Sequence, residues 1–173
     1  WADSSMRRFH YTESVGDDLF RRSIYAFWRR SVAPTAFFDA SKRRTCQVRT
    51  IRTNTPLHAL TLLNDKSVLA SSYHLAKLTL NRSSDDADRI QWLFRQVLSR
   101  TPTDREMAVV NGELQGLRTY YQNEAMEAEN LLVPLEPLTL GGAPRPDLPV
   151  SELAAWSLTA STLLNLDEAQ TRE

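Results

Sequence analysis

The sequence predicts an all-α protein: a compact bundle of about five or six helices with a long basic loop and a Pro-rich loop. Apolar residues recur every three or four positions through most of the chain, and no alternating pattern of apolar and polar residues opposes a helical class. The chain has 173 residues, of which 42% are hydrophobic, so it can bury about 70% of its unfolded surface. We therefore expect residues 1–173 to form a single helical domain.

The first predicted helix follows an irregular arm at residues 1–16. From Asp17 to Pro34 the apolar residues repeat with helical spacing, acids occupy the first turn, and arginines occupy other positions. The apolar positions are Phe20, Ile24, Phe27 and Trp28. This pattern is typical of an amphipathic helix.

The stretch from Arg49 to Asp65 is predicted to be the organising element of the chain. Asn54 or Thr55 can cap a helix, and Pro56 suits its first position because the missing N–H has no intrahelical partner there. Leu57, Leu60 and either Leu62 or Leu63 are expected to form its buried face. Asn64 and Asp65 then predict a break and a second helix from Lys66 to about Leu80.

Two further helices are predicted from their start signals. Ser83 and Ser84 are expected to cap a helix with an apolar face, and Thr103 with Glu106 forms a capping box that opens a long helix to about Asn130. Gly112 and Gly116 weaken that long helix, so we expect them to mark a close contact between helices. The apolar face of the helix that follows Ser83 and Ser84 comprises Ile90, Leu93, Phe94, Val97 and Leu98.

A proline-rich loop precedes the last predicted helix. Five of the eight prolines fall between Pro134 and Pro149, which is typical of a loop or exposed strap. Ser151 is predicted to cap the final helix, and its inward-facing residues are predicted to be Leu153, Trp156, Ala160 and either Leu163 or Leu164.

The charge is zero in total but unevenly placed. Positions 1–53 carry 11 Lys or Arg against 5 Asp or Glu, a balance of +6, whereas positions 54–173 carry 10 against 16, a balance of −6. The neutral total argues against nucleic acid as a partner. No apolar run is long enough to span a membrane. Because the chain begins with Trp1 and has no leader, we expect a processed chain or, in preference, a fragment cut from a longer protein.

The residues that usually carry chemistry do not form a recognisable site. His10, His58 and His74 lack the spacing of a metal site, haem attachment would need a CxxCH motif that is absent, and no phosphate-binding loop motif occurs. Cys46 with His58 and Asn54 is only suggestive of a nucleophile. We predict no catalytic residue, no metal and no cofactor, and leave enzyme activity open.

A cluster of basic residues is the strongest candidate site. Five basic residues lie within eleven positions without one acid: Lys42, Arg43, Arg44, Arg49 and Arg52. Arginines in such a loop can bind carboxylate, sulfate or phosphate through two hydrogen bonds, so a small anionic ligand is one hypothesis. The alternative is that they pair with the acidic second half of the chain.

Three segments resemble a known family. They are RRSIYAFWRR (residues 21–30), FDASKRRTCQVRTIRTNTPLHALTLLND (38–65) and ELAAWSLTASTLLNLDEAQTRE (152–173). Together they are similar to the planctomycete-specific domain of unknown function at the C-terminus of large exported proteins. The motif residues are Arg52, Thr53, Asn54, Thr55, Pro56, Leu57, Asn64, Asn165, Asp167 and Glu168. The chain departs from the family pattern at His58, where glutamine is usual, and at Lys66, where proline is frequent.

The resemblance implies a periplasmic or cell-surface location and upstream domains of the same polypeptide, often including a cytochrome c-like domain, as partners. It implies no reaction. We therefore expect a non-catalytic interaction or structural module. The alternative is part of an enzyme or redox-protein site completed by upstream domains, with the Lys42–Arg52 loop binding an anionic group.

One long-range contact is also predicted. Asp167 and Glu168 are expected at the end of the last helix, where negative charge opposes the helix dipole. We therefore expect a basic residue close to them. We expect Arg49 or Arg52 to approach Asp167 or Glu168. We further expect Leu60 and Leu63 to pack on Leu163 or Leu164.

Overall fold

The computed structural model describes residues 56–135 and 148–170. Within these two ranges the chain forms seven helices and no strand, which confirms the all-α class. The helix predicted at residues 17–33, the basic loop and most of the proline-rich loop lie outside the described residues. The helices are α1 (Pro56–Asn64), α2 (Lys66–Arg82), α3 (Asp86–Leu98), α4 (Asp104–Asn123), α5 (Ala125–Leu132), α6 (Val150–Leu164) and α7 (Asp167–Gln170).

Helix α6 is the central element of this bundle. It packs most extensively on α2 and then on α4, and it also contacts α3, α5 and α7. Trp156 is fully buried, and so are Ala154, Ala155 and Ala160. A helix that is buried on nearly every side needs small or apolar residues all round it. The organising element is therefore α6, and our prediction that the Arg49–Asp65 stretch takes this role is wrong for the described residues.

Small residues are buried on both α2 and α6, the two helices in most extensive contact. Ala70, Ser72 and Ala76 are buried on α2, and Ala154, Ala155 and Ala160 are buried on α6. The buried hydroxyl groups bond to their own helices: Thr79 Oγ1 donates to the Leu75 carbonyl at 2.7 Å and Ser157 Oγ to the Leu153 carbonyl at 2.7 Å. Such back-bonding satisfies a buried hydroxyl without a partner on the other helix.

Larger side chains complete the core on the other side of α6. Ile90, Leu93 and Phe94 of α3 are buried together with Val110 and Leu114 of α4. This confirms the apolar face predicted for α3. The inward positions predicted for the last helix are confirmed as well, since Leu153, Trp156, Ala160 and Leu163 are buried.

Several predicted helix boundaries agree with the structure. Asp65 caps α2 by accepting hydrogen bonds from the backbone N–H groups of Ser67 and Val68. Thr103 and Glu106 form both hydrogen bonds of the capping box at the start of α4. The cap of α3 is Asp85, whose carboxylate accepts from the N–H of Asp88. The predicted cap at Ser83 and Ser84 is therefore wrong, because the aspartate lies nearer the first turn.

The second half of the chain differs from the prediction at three points. The long helix expected to reach about Asn130 ends at Asn123, and Glu124 separates it from α5. The chain changes direction at this break, and Ala128 and Leu132 of α5 are buried. Helix α6 begins at Val150 after Pro149, so Ser151 lies inside the helix and is not its cap. The short helix α7 was not predicted.

Helix α1 lies at the edge of the bundle and packs on α2. Its Leu62 is buried, but Leu60 and Leu63 are 56% and 42% exposed. The prediction that these two leucines pack on Leu163 or Leu164 is therefore wrong.

Gly112 and Gly116 do not mark a close contact between helices. A Cβ atom placed on either glycine would meet no other heavy atom within 4 Å. Both residues lie on the exposed outer side of α4. The prediction of a close approach is wrong for the described residues, since the inner side of α4 is formed by Val110, Leu114 and Tyr121.

Candidate functional site

The residues predicted to bind an anion lie outside the described part of the chain. This applies to Arg43, Arg44, Arg49 and Arg52, and also to Cys46. The motif residues Thr53, Asn54 and Thr55, together with Lys42 and His10, likewise lie outside it. The anion site and its alternative, pairing with the acidic half, both stay predictions.

The N-terminal motif residues that the structure describes lie on α1. Pro56 is the first residue of the helix, as its missing N–H favours. Leu57 is exposed, and Asn64 ends the helix with its side-chain Nδ2 donating to the Leu60 carbonyl at 2.7 Å. These residues form the two ends of α1 and part of its exposed surface.

The C-terminal motif residues form the junction between α6 and α7. Asn165 caps α6, and its backbone N–H donates to the carbonyls of Ser161 and Thr162. Asp167 is the first residue of α7 and Glu168 the second. The Asn165 side-chain oxygen is buried and has no hydrogen-bond partner among the described residues. The motif thus places Glu168 at the start of a short helix.

A cluster around Arg100 receives the Glu168 side chain. Arg100 Nε donates to Glu168 Oε1 at 2.8 Å and Nη2 donates to Oε2 at 2.8 Å. The same guanidinium donates to Glu106, from Nη2 to Oε1 at 2.7 Å and from Nη1 to Oε2 at 2.9 Å. A fifth hydrogen bond reaches the Thr101 carbonyl at 3.2 Å. All five N–H groups of the guanidinium are therefore used.

The backbone around Arg100 explains how this cluster is placed. Ser99 ends α3 in the left-handed region with a φ of 58°, and its N–H donates to the Arg95 carbonyl. The turn that follows puts Arg100 beside the capping box of α4, where Thr103 N and Oγ1 both donate to Glu106 Oε2. The guanidinium also lies 5.6 Å from the centre of the Phe94 ring. One exposed cluster thus joins the ends of three helices.

The electrostatics of the Arg100 cluster keep both carboxylates ionised. The Arg100 guanidinium, with help from the Thr103 backbone and hydroxyl groups, lowers the pKa of Glu106 to about 2. Arg100 also lowers the pKa of Glu168 below its ordinary value. The two carboxylates in turn raise the pKa of Arg100. Arg100 is thus the cation that meets Glu168, but the predicted reason is wrong, because Glu168 lies in the first turn of α7 and not at the end of a helix. The predicted approach of Arg49 or Arg52 lies outside the described residues.

A second cluster, around Arg118, lies deeper between the helices. Arg118 of α4 donates to Asp86 of α3 and to Glu152 of α6, with Nη2 to Asp86 Oδ1 at 2.9 Å and Nε to Glu152 Oε2 at 2.8 Å. The Arg118 side chain is 16% exposed. Its hydrogen bonds lower the pKa of Asp86, and the pKa of Arg118 is raised by the two acids. This cluster links three helices through one guanidinium.

Neighbouring side chains extend the Arg118 cluster. The indole N–H of Trp156 donates to Glu152 Oε1 at 2.9 Å, and Arg89 lies over the Trp156 ring at 5.7 Å. Arg89 also donates to the Ser83 carbonyl at 2.7 Å and to Asp86 Oδ1 at 3.3 Å. Since Arg89 and Arg118 balance Asp86 and Glu152, the cluster is neutral.

Sequence reasoning missed both arginines. Glu106 was assigned to a capping box, and that signal does not indicate a distant cation. Glu152 and Trp156 lie four residues apart, a spacing that places them on one helix side, but Arg118 comes from another helix. The four-residue spacing of Glu152 and Trp156 is visible in the sequence, but it does not indicate which residue pairs with Glu152.

Neither metal chemistry nor a membrane span is found in the described residues. No group of three or more His, Cys, Asp or Glu side chains within residues 56–135 and 148–170 is arranged to hold a metal ion. His58 belongs to α1 and His74 to α2. In the same residues no helix has the length and apolar character needed to cross a membrane.

Comparison with known proteins identifies a family for this chain. The family model described as "PSD1: Protein of unknown function (DUF1553)" matches residues 3–114, more than half of the sequence. The matched range ends inside α4, before the α6–α7 segment that carries Glu168. No curated protein and no solved structure matches significantly. The chain therefore belongs to the PSD1 family of proteins of unknown function (DUF1553).

Proposed function

We propose that this chain is a non-catalytic helical module that acts through packing and binding within a larger protein. The observation that carries the proposal is that acidic groups in both clusters are held as ionised acceptors by arginine. A general acid or base works best with a pKa near the operating pH. The pKa values of Asp86, Glu106 and Glu168 are all lowered, which moves them away from neutrality. These carboxylates are therefore suited to joining helices.

We also propose where the module is located and which domains it accompanies. The resemblance of three segments to the planctomycete-specific domain supports an exported protein, located in the periplasm or at the cell surface. Its partners would be upstream domains of the same polypeptide, including a cytochrome c-like domain. The sequence upstream of Trp1 in the parent gene tests this. A signal peptide and a CxxCH motif are the expected findings, and their absence would contradict the proposal.

The second candidate is part of an enzyme or redox-protein site completed by those upstream domains. It is favoured by five basic residues without one acid between Lys42 and Arg52. In that case the basic loop binds an anionic group of the substrate or cofactor. Binding would then require Arg49 and Arg52, and it would fall steeply as salt is raised.

A reporter screen tests the non-catalytic proposal on the isolated chain. We expect the purified protein to turn over no ester, phosphate, sulfate or glycoside reporter. The matched variants Cys46→Ser and His58→Ala are expected to behave like the parent chain. Turnover that either substitution abolishes would overturn the non-catalytic proposal.

A further inference from the structure

Helix α1 has an apolar side that the described bundle leaves exposed. Leu57, Leu60 and Leu63, here named the outer face of α1, are 72%, 56% and 42% exposed. Successive steps of three residues place these leucines in one stripe along the helix. Leu62, on the opposite side, is buried where α1 packs on α2. A helix that is apolar on two opposite sides is suited to two packing surfaces.

Two polar side chains beside the outer face donate hydrogen bonds within α1. Thr61 Oγ1 donates to the Leu57 carbonyl at 2.7 Å, and Asn64 Nδ2 donates to the Leu60 carbonyl at 2.7 Å. Burying a polar group is costly when it leaves a donor without an acceptor. Covering the outer face therefore buries leucine surface while the Thr61 hydroxyl keeps its acceptor. The face has the character of a packing surface.

The length of α1 makes a second packing surface important. The helix has nine residues, and isolated helices shorter than about 12 residues are marginal in water. Its stability must come from tertiary contacts, and α2 supplies them on one side. Contact along the outer face would hold the helix from both sides.

We propose that residues 17–33 of the same chain form the helix that covers the outer face of α1. The apolar side of this segment consists of Phe20, Ile24, Phe27 and Trp28. As a helix, the span from Phe20 to Trp28 measures about 12 Å and the span from Leu57 to Leu63 about 9 Å, at 1.5 Å per residue. The longer apolar stripe can cover the whole length of the shorter one. The arginines of the segment occupy other positions of the helical repeat.

The chain itself favours this occupant over a separate molecule. Residues 34–55 connect the two segments, and a link of this length reaches up to about 70 Å, so it allows the return. A tethered segment has an effective concentration of order mM, which an unlinked partner must match in solution. The single family match over residues 3–114 also contains both segments. This inference is independent of the non-catalytic role proposed above.

Hydrogen exchange in the full chain tests the proposal. In Phe27→Ala we expect the amides of residues 60–64 to exchange at least tenfold faster than in the parent chain. In the matched variant Arg29→Ala, on the polar side of the segment, we expect a change below twofold. The amides of residues 110–117 in α4 serve as an internal control and should not change. Equal exchange at residues 60–64 in Phe27→Ala and the parent would overturn the proposal.

A crosslink gives a second readout that does not depend on stability. In a Cys46→Ser background, Phe27→Cys with Leu60→Cys should form an intramolecular disulfide in most molecules. The control pair Arg29→Cys with Leu60→Cys should form it in less than a tenth of them. A disulfide-linked dimer from Leu60→Cys alone, with protection of α1 that depends on concentration, would instead assign the face to a second copy. That result, or no crosslink in either pair, would overturn the proposal.

Discussion

Arg100 and Glu168 are 68 positions apart and are joined by two hydrogen bonds of 2.8 Å each. The pair connects the turn between α3 and α4 with the last helix of the described chain. Glu168 belongs to the terminal motif LLNLDE, so one residue of that motif has a defined structural role. Because a bidentate arginine–carboxylate pair fixes both distance and orientation, it contributes to the placement of α7, which also contacts α3 and α6.

Replacing Arg100 should release α7 and leave the bundle folded. In Arg100→Ala, Glu168 loses its partner and Glu106 keeps its hydrogen bonds from Thr103. We expect faster hydrogen exchange at Ala169, whose N–H bonds to the Leu166 carbonyl, and only a small change in the melting temperature. Arg100→Lys should behave similarly, since lysine cannot form the paired hydrogen bonds. The control is Arg105→Ala on the exposed side of α4, and equal exchange in both variants would contradict the prediction.

Replacing Arg118 should cost far more stability. Arg118→Ala leaves Asp86 and Glu152 in a partly buried place without their shared cation. We expect the free energy of unfolding to fall by about 2–4 kcal/mol, toward the lower part of the range for breaking a buried pair, since the cluster is not fully buried. The control Arg95→Ala, at an exposed position of α3, should change it by no more than about 0.5 kcal/mol. Chemical denaturation of both variants measures the difference, and equal values would contradict the role of the cluster.

The lowered pKa of Glu106 predicts loss of stability in acid. Its pKa is about 2 in the folded protein and has an ordinary value of 4.5. A carboxyl group with a depressed folded pKa contributes stability above its unfolded pKa, and this stability is lost as the pH falls through the folded pKa. The loss attributable to Glu106 should therefore occur between about pH 4.5 and pH 2.

Carboxyl NMR titration checks the cause of this shift. The Glu106 side chain should titrate with a midpoint near pH 2 in the parent chain. In Arg100→Ala its pKa should rise toward the ordinary value, because the largest contribution to the shift is removed. A midpoint that stays near 2 in this variant would show that the Thr103 cap alone lowers the pKa.

Replacing the two glycines of α4 should stabilise the protein. Gly112 and Gly116 lie in the interior of an exposed helix side, and an added Cβ meets nothing within 4 Å. Each change to alanine should add about 0.5–1 kcal/mol, since glycine loses more backbone freedom on folding. The reverse change Ala108→Gly, at another exposed position of α4, should lower stability by a similar amount. Thermal melts check all three variants, and a lower melting temperature in Gly112→Ala would indicate a contact made by another part of the chain.

The basic loop should distinguish anion binding from a structural role. If it binds anions, affinity for sulfate or phosphate should weaken steeply with salt and disappear in Arg49→Ala/Arg52→Ala. If the arginines are structural, the same variant should melt at a lower temperature and bind no less than the parent chain. Titration calorimetry and a thermal melt of the double variant decide between the two hypotheses. The control is Arg105→Ala, which removes a positive charge from α4.

Sequence patterns predicted the described helices where local chemistry determines structure. The capping box at Thr103 and the cap at Asp65 were confirmed because each depends on a side chain and a backbone N–H two or three residues away. The apolar faces of α3 and α6 were confirmed because helical spacing alone places those residues on one side. The all-α class was predicted from the same three- and four-residue spacing of apolar residues.

Tertiary structure decided which helix is central and which charges meet. The leucines of α1 and the small residues of α6 are both compatible with a core, but small residues allow a helix to be surrounded closely, so α6 occupies the centre. Arg100 and Arg118 find acids more than thirty residues away in Glu168 and Glu152. Local spacing does not encode such distances. Those pairs exist because packing brings separate helices together, and the sequence alone determined only that the charges were available.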